Sequence, residues 1–459
     1  MERRPSGTVR DNWPEVVTEQ GLTYWQTQLP DGSTRSYWSE SAHYAFSAAE
    51  VEQMHADMVP LLDMCVTAGD FILAHPELMD RMAIPEWARP MIAQTWNPRD
   101  ADGNEIEFGS VYGRIDAVYG GNRFLDLVST DPQDSADDAL GRIRLYEFNA
   151  DTPTSLLETA IIQWDWFDKT RQGDDQWNGV YEMLVDAWKR NLAFVEKELG
   201  HKPTVYFACT WQDNLLPEFA DAVPPDQRAE ISIENCSYED LQNLRVMQET
   251  CRQAGYETQW LYVEQIHLGE NGRFYDGRMP DGELRHLDVV FKLHAWEFIC
   301  AEPYGQAVFE DMARGGGTVW VEPPYKMLWS NKGLLPVLWK LFERDPERSK
   351  LLIPAWFEGE QPAGMQSYVR KPLLGREGAN VTVVVDGETL LQTPGDYGQE
   401  GFVIQAYAPA PNFVGYDGDN FPTLGLWYVD GEPAGLDIRE SQTVVVDNLS
   451  VCVPHVIRG

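Results

Sequence analysis

The chain changes texture near Pro346–Pro354, and that change constrains its fold more than any single motif. Before it, long stretches of helical periodicity alternate with short β-branched runs. "SAAEVEQMHADMVPLLDMCVTAGDFIL" has Ser47 with Glu50 three residues on, a capping-box spacing, so residues 41–95 read as mainly helical. "GSVYGRIDAVYG" and "RIRLYEFNA" read as strands separated by the acidic loop "STDPQDSADDALG". A helix over residues 154–168 and another through "WNGVYEMLVDAWKRNLAFVEKEL" follow. "TVYFACT", "YEDLQNLRVMQETCRQAG" and "TQWLYV" then make a β–α–β run, and "LDVVFKLHAWEF" and "GTVWVEP" add strands around a helix. After the prolines come short strands: "SYVRKP", "NVTVVVDG", "GFVIQAY", "LGLWYVDG" and "QTVVVDNLSVCVPHV". Such a run predicts a largely antiparallel lobe, and the whole reads as a multi-lobed α+β protein.

At 459 residues the chain is too long for one simple core. The formal net charge of −37 excludes nucleic acid as a partner, because phosphates would be repelled. Two readings of that charge stay open: a solvated acidic surface, or a field that draws in a cationic substrate. No apolar run is long enough for a bilayer, and "MERRPSGTVRDNWPEVV" lacks the apolar core of a secretory signal. The six scattered cysteines have no CxxC pair and read as reduced thiols in a cytoplasmic protein.

Strand periodicity puts Glu147 and Asn149 on one face, and Arg114 and Asp116 on one face of their own strand. If the two strands pair, Asp116, Glu147 and Asn149 converge as oxygen donors, a set suited to Mg²⁺ or Ca²⁺, with Arg114 beside them to clamp a phosphoryl group. A surface ladder of ion pairs fits the same spacing. Thr152, Thr154 and Ser155 surround a helix start, where unpaired N–H groups favour an anion, although each also fits a plain helix cap. In "YVRKPLLGREGANV", Lys371 precedes a turn bearing Gly375 and Gly378 that can fold backbone N–H groups over phosphates, without matching the Walker pattern. "WSNKGLLP" adds Lys332 and "GLDIRES" adds Arg439 at element ends. His294 and His455 sit in apolar strands and read as satisfied core histidines.

"YEFNADTPTSLLE", "EPPYKMLWSNKGLLPVLW", "VRKPLLGREGANV" and "GEPAGLDIRE…VPHVI" together resemble the glutathionylspermidine synthase family, ATP-grasp carbon–nitrogen ligases. Among them the chain looks most like the stand-alone candidate acid–amine ligases of bacteria, from about residue 20 to the C-terminus. The resemblance implies an ATP-grasp-type fold: an N-terminal extension (1–40), a pre-ATP-grasp substrate and metal lobe (41–345), and an ATP-grasp lobe (346–459). It implies Mg²⁺ on Asp116, Glu147 and Asn149. Arg114 would act catalytically on ATP, with Ile115 between it and Asp116 as part of the same nucleotide motif.

The nucleotide lysines fall on Lys332 and Lys371, the phosphate loop on Gly375 to Gly378 with Arg376, and the adenine hinge on Ile404, Gln405, Ala406 and Tyr407. Val444, Val445 and Val446 would be a nucleotide-lining strand. Thr152 and Thr154 fall near the acid substrate, Glu239 and Asp240 form an acidic pair near the substrates, and Arg439 is the arginine near the C-terminus. The implied reaction joins a carboxylate, glutathione-like or otherwise peptide-like, to an amine, with polyamines among the amines admitted. A nucleotide-binding sensor or partner module without turnover is the reading from another class. Two departures from the family stand out. The chain has no room for an N-terminal cysteine amidase domain. "KLHAWE" puts Leu293 where the family has a threonine associated with glutathione.

Overall fold

The computed structural model describes residues 1–28, 32–97, 109–120, 141–224, 231, 236–278, 284–415 and 418–459. The acidic loop expected ahead of Gly141 lies outside the described residues. A central antiparallel sheet runs in the order Val451–Cys452, Glu432–Ser441, Phe421–Val429, Tyr112–Tyr119, Ile143–Asn149. Strands from before and after the texture change therefore share one sheet. A second antiparallel sheet follows the order Ala355–Phe357, Phe402–Ala406, Tyr368–Pro372, Thr382–Val385, Glu388–Gln392.

The β–α–β run forms as expected. Thr204–Cys209 and Glu257–Tyr262 pair in parallel, and the helix Glu239–Gln253 connects them. Val289–Lys292 and Val319–Val321 complete a four-stranded parallel sheet. The inner strands Thr204–Cys209 and Val289–Lys292 are almost wholly buried, as parallel strands covered on both faces must be. The result is a mixed α+β fold. Among the described residues no helix is long and apolar enough to cross a membrane.

Ser47 caps the helix Ala48–Ala74 through a reciprocal capping box, with Glu50 N donating to Ser47 Oγ at 3.2 Å and Ser47 N to Glu50 Oε2 at 2.8 Å. The helical reading fails just before it. Ala42–Ser47 is a strand, paired on one side with Glu2–Pro5 and on the other with His455–Arg458. Neighbouring strands from both ends of the chain override the local pattern there.

A second correction concerns Val444, Val445 and Val446, which are not a strand. Ser441 Oγ and Thr443 Oγ1 each donate to Val445 O, at 3.0 and 2.9 Å, and these local side-chain bonds fold the segment into bends. The helix expected over residues 154–168 starts at Leu156, passes through a π-helical stretch, Glu158–Ile162, and continues as Gln163–Thr170. All six cysteines carry free thiols.

Candidate nucleotide and metal site

The strands Tyr112–Tyr119 and Ile143–Asn149 pair antiparallel, with Asp116 opposite Glu147 and Arg114 opposite Asn149. The convergence expected from period two is therefore present. Asn149 Nδ2 donates to Asp116 Oδ2 at 2.8 Å and to Glu147 Oε1 at 3.3 Å. Arg114 grips Asp116 in a fork, Nε to Oδ1 at 2.7 Å and Nη2 to Oδ2 at 3.1 Å, and sends Nη1 to Thr154 O at 2.5 Å. Its guanidinium is thus engaged with the carboxylate it was expected to assist. Ile115 points the other way, into the core. Asp151, two residues past Asn149, is buried in an ion pair with Lys292 at 2.6 Å and accepts from Trp296 N at 2.8 Å.

Two lysines from distant elements close on the carboxylates. Lys332 Nζ lies 2.9 Å from Glu147 Oε2 and donates to Gly375 O at 2.6 Å. Lys371 Nζ donates to Gln405 Oε1 at 2.7 Å and to Tyr146 O at 3.3 Å. Burial alone would raise the pKa of Glu147, but Lys332 and Lys371 outweigh it and hold that carboxyl down to about 2. Burial pushes Lys371 itself down to about 8.

The two carboxylates and the two lysines line one cleft between the two antiparallel sheets, with Arg114 and Asn149 set behind its wall. Asp116, Glu147, Lys332, Lys371, Gly375, Arg376, Gly378, Gln405, Ala406, Tyr407 and Val444 to Val446 all face it. Gly378 has φ +67°, and a Cβ there would meet Val446 O at 2.4 Å, so glycine lets the turn pack on the valine segment. Arg376 reaches out of the turn to Thr152 Oγ1 at 2.9 Å and to Glu297 Oε1 at 2.8 Å.

Thr152, Thr154, Glu239, Asp240 and Arg439 form the neighbouring side of the site rather than the cleft wall. Glu239 interacts with Arg439, Thr154 and Arg114, whereas Asp240 faces Asn214 and Arg376. The two adjacent acids point apart, as helix geometry requires. Burial and the charge of Glu239 push Asp240 up to about 7. Arg439 Nη2 donates to Asp447 O at 2.8 Å, and its buried Nε has no hydrogen-bond partner. The helix start offers less than expected to an anion, because Leu156 N already donates to Asn243 Oδ1 at 2.7 Å. His455 is satisfied, between Trp177 N and Gln163 Oε1. His294 is not, since its buried Nε2 lacks a partner.

The sequence reading missed Tyr24, Tyr37, Glu158, Glu297 and Asp437. Tyr24 and Tyr37 both donate to Glu158 Oε1, at 3.0 and 2.8 Å, leaving Glu158 Oε2 buried without a partner. Asp437 had a legible signal: it lies two residues before Arg439, on the same strand face.

Among the described residues no cluster of three or more His, Cys, Asp or Glu side chains has the arrangement of a metal site. The donor set here is two carboxylates and an amide beside two lysines. Such a set fits a hard divalent cation that brings phosphate oxygens with it.

A family model described as glutathionylspermidine synthase preATP-grasp matches residues 4–458. The chain belongs to that family. A Haemophilus influenzae protein named as a candidate acid–amine ligase is 28% identical over 472 residues, 99% of this chain and 99% of its own length. The bifunctional glutathionylspermidine synthetase/amidase of Escherichia coli is 23% identical over 69% of this chain and 47% of its own length. The trypanothione synthetase of Crithidia fasciculata is 27% identical over 94% of this chain and 57% of its own length. The chain spans about half the length of those last two relatives.

Proposed function

We propose that the protein is an ATP-grasp ligase that uses ATP to join a carboxylate to an amine through an acyl phosphate. The observation that carries this reading is the shared cleft, where Asp116 and Glu147 meet Lys332, Lys371 and the turn around Gly378. The family membership and the ligase names of the relatives support it.

A carboxylate is a poor electrophile because oxide is a bad leaving group, and phosphorylation removes that obstacle. Magnesium, when bound, would neutralise charge on the transferring phosphoryl group. Asp116, Glu147 and Asn149 would hold it. Lys332 and Lys371 would meet polyphosphate oxygens, and Gln405, Ala406 and Tyr407 would line the base. Arg376 and the glycine turn would close over the phosphates and keep water from the acyl phosphate. Thr152 and Thr154 stand on the acid side, and Glu239 and Asp240 supply the carboxylates of the amine side. The acid is read as peptide-like, and Leu293 supplies no hydroxyl for glutathione. Polyamines remain among the amines the acidic side admits.

The experiment is to incubate the protein with Mg²⁺, ATP and panels of acids and amines, following ADP release together with product mass. The proposal expects ADP and a conjugate lighter than its two parts by one water, in equal amounts. ADP release without any conjugate, or nucleotide binding without turnover, would instead favour a sensor or partner module.

A further inference from the structure

Cross-strand register lines up one row on the site face of the central sheet. Glu147 stands opposite Asp116, Asp116 opposite Gly425, and Gly425 opposite Asp437. The glycine leaves a gap that the Asp437 carboxylate leans across. A Cβ on Gly425 would lie 1.8 Å from Asp437 Oδ1 and 2.9 Å from Arg114 Cδ. Asp437 is 2% exposed, and neither carboxylate oxygen has a hydrogen-bond partner. A buried carboxylate left in that state is costly, and burial pushes it up to about 7, so a cation brought to it by a change in the site would relieve it. The charged groups that face it are Arg114, Asp116, Arg439 and Glu158.

Arg114 and Arg439 are the cations among them, and Arg114 is the one whose present anion, Asp116, is also a candidate metal ligand. Its fork on Asp116 and its bond to Thr154 O use three of five N–H donors, and its Cδ borders the same gap at Gly425 as the Asp437 carboxylate. A divalent cation on Asp116 would repel the guanidinium held in the same fork and loosen its grip. Once a cation takes Asp116, the guanidinium needs a second anion within reach. We propose that Asp437 is the standby counter-ion of Arg114, taking the guanidinium when Asp116 turns to a divalent cation and so fixing where Arg114 stands over the cleft. The inference rests on the nucleotide and metal reading of the site. It makes Asp437 a positioning residue acting through Arg114, and it gives Gly425 a reason to lack a side chain.

The test is calorimetric titration of Mg²⁺ into protein saturated with a non-hydrolysable ATP analogue, for the wild type, Asp437→Asn, Arg114→Gln and the double variant. With no counter-ion to receive it, Arg114 stays on Asp116 and competes with the metal. Asp437→Asn should therefore weaken Mg²⁺ binding about tenfold, the size of a coupling between neighbouring charges. Binding of the analogue without metal should not change, and the thermal midpoint should not fall, because an unpartnered buried charge has been removed. In the Arg114→Gln background the same substitution should have no further effect. An equal loss in both backgrounds would make Asp437 a direct metal ligand and overturn the proposal, as would Mg²⁺ affinity unchanged in Asp437→Asn. If the wild type binds no Mg²⁺ with nucleotide, this inference and the ligase reading fall together. If it binds and Asp437→Asn is silent, this inference alone falls.

Discussion

Glu147 holds its charge between Lys332 and Lys371, and the site's electrostatics turn on it. Glu147→Gln keeps the shape and removes the charge. ATP turnover with Mg²⁺ should fall by about 10²-fold or more, as when one charge-stabilising group is lost, while the thermal midpoint stays near wild type. Steady-state ADP release and a melting curve check this, and unchanged turnover would restore the plain ion-pair reading. Lys371 gives the pH dependence. Burial lowers its pKa to about 8 in the free protein, and a bound polyphosphate would favour the charged form and raise it. Below that pH both states are protonated and affinity is flat. Above it the free lysine loses its proton first, so affinity should drop about tenfold per pH unit. Titrations of an ATP analogue between neutral pH and pH 9 read this directly, and a flat profile excludes Lys371 from the phosphate site. The same shift lowers folding stability below pH 8, and that loss fades as pH rises toward the ordinary lysine value near about 10.4. Asp116 and Glu147 were legible because period two is local. Asp437 shared that local signal through its spacing to Arg439, but its role rests on Gly425 of the neighbouring strand, which no local pattern shows.

The turn around Gly378 shows both what a local pattern can carry and where it stops. Its glycines marked a turn in the sequence, but the partners that hold it are far away: Lys332 on Gly375 O, Thr152 and Glu297 on Arg376, and Asn448 Nδ2 on Glu377 Oε2 at 2.5 Å. Gly378→Ala forces a Cβ into Val446 O and a backbone with positive φ, a strain of roughly 1–3 kcal/mol that falls on the turn and not on the core. The variant should fold, bind an ATP analogue more weakly, and lose the protection from limited proteolysis that the analogue and Mg²⁺ give the wild-type turn. Equal cleavage of the wild-type turn with and without nucleotide would count against a phosphate lid. The valine segment after Ser441 misled the reading because three β-branched residues look like a strand. The side-chain bonds of Ser441 and Thr443 that bend it depend on the chain already turning.

At the scale of the molecule, the parallel and antiparallel sheets were legible as textures, but the joining of the chain's ends was not. Glu2–Pro5 and His455–Arg458 flank Ala42–Ser47, a pairing across the whole sequence that no window reveals. Arg3 anchors that arrangement, with Nε on Glu440 Oε2 at 2.7 Å and Nη2 on Oε1 at 3.0 Å, and Tyr44 Oη on Oε2 at 2.6 Å. Glu440 adjoins Arg439, so the first strand braces the strand that serves the site. Arg3→Met should cost about 3–5 kcal/mol in urea unfolding, because it strands a buried carboxylate, and Arg3→Met with Glu440→Leu should recover much of it. An unchanged midpoint in the single variant would show that this pair does not brace the fold.

The central claim is that the cleft activates a carboxylate with the γ-phosphoryl group of ATP. The most direct measurement uses an accepted acid whose carboxyl oxygens carry a heavy-oxygen label, turned over with Mg²⁺, ATP and an amine. Mass analysis of the released phosphate then follows the label. One labelled oxygen per phosphate, appearing together with conjugate, is the predicted result, and it should be lost with Glu147→Gln. Conjugate formed while the phosphate stays unlabelled would contradict the account.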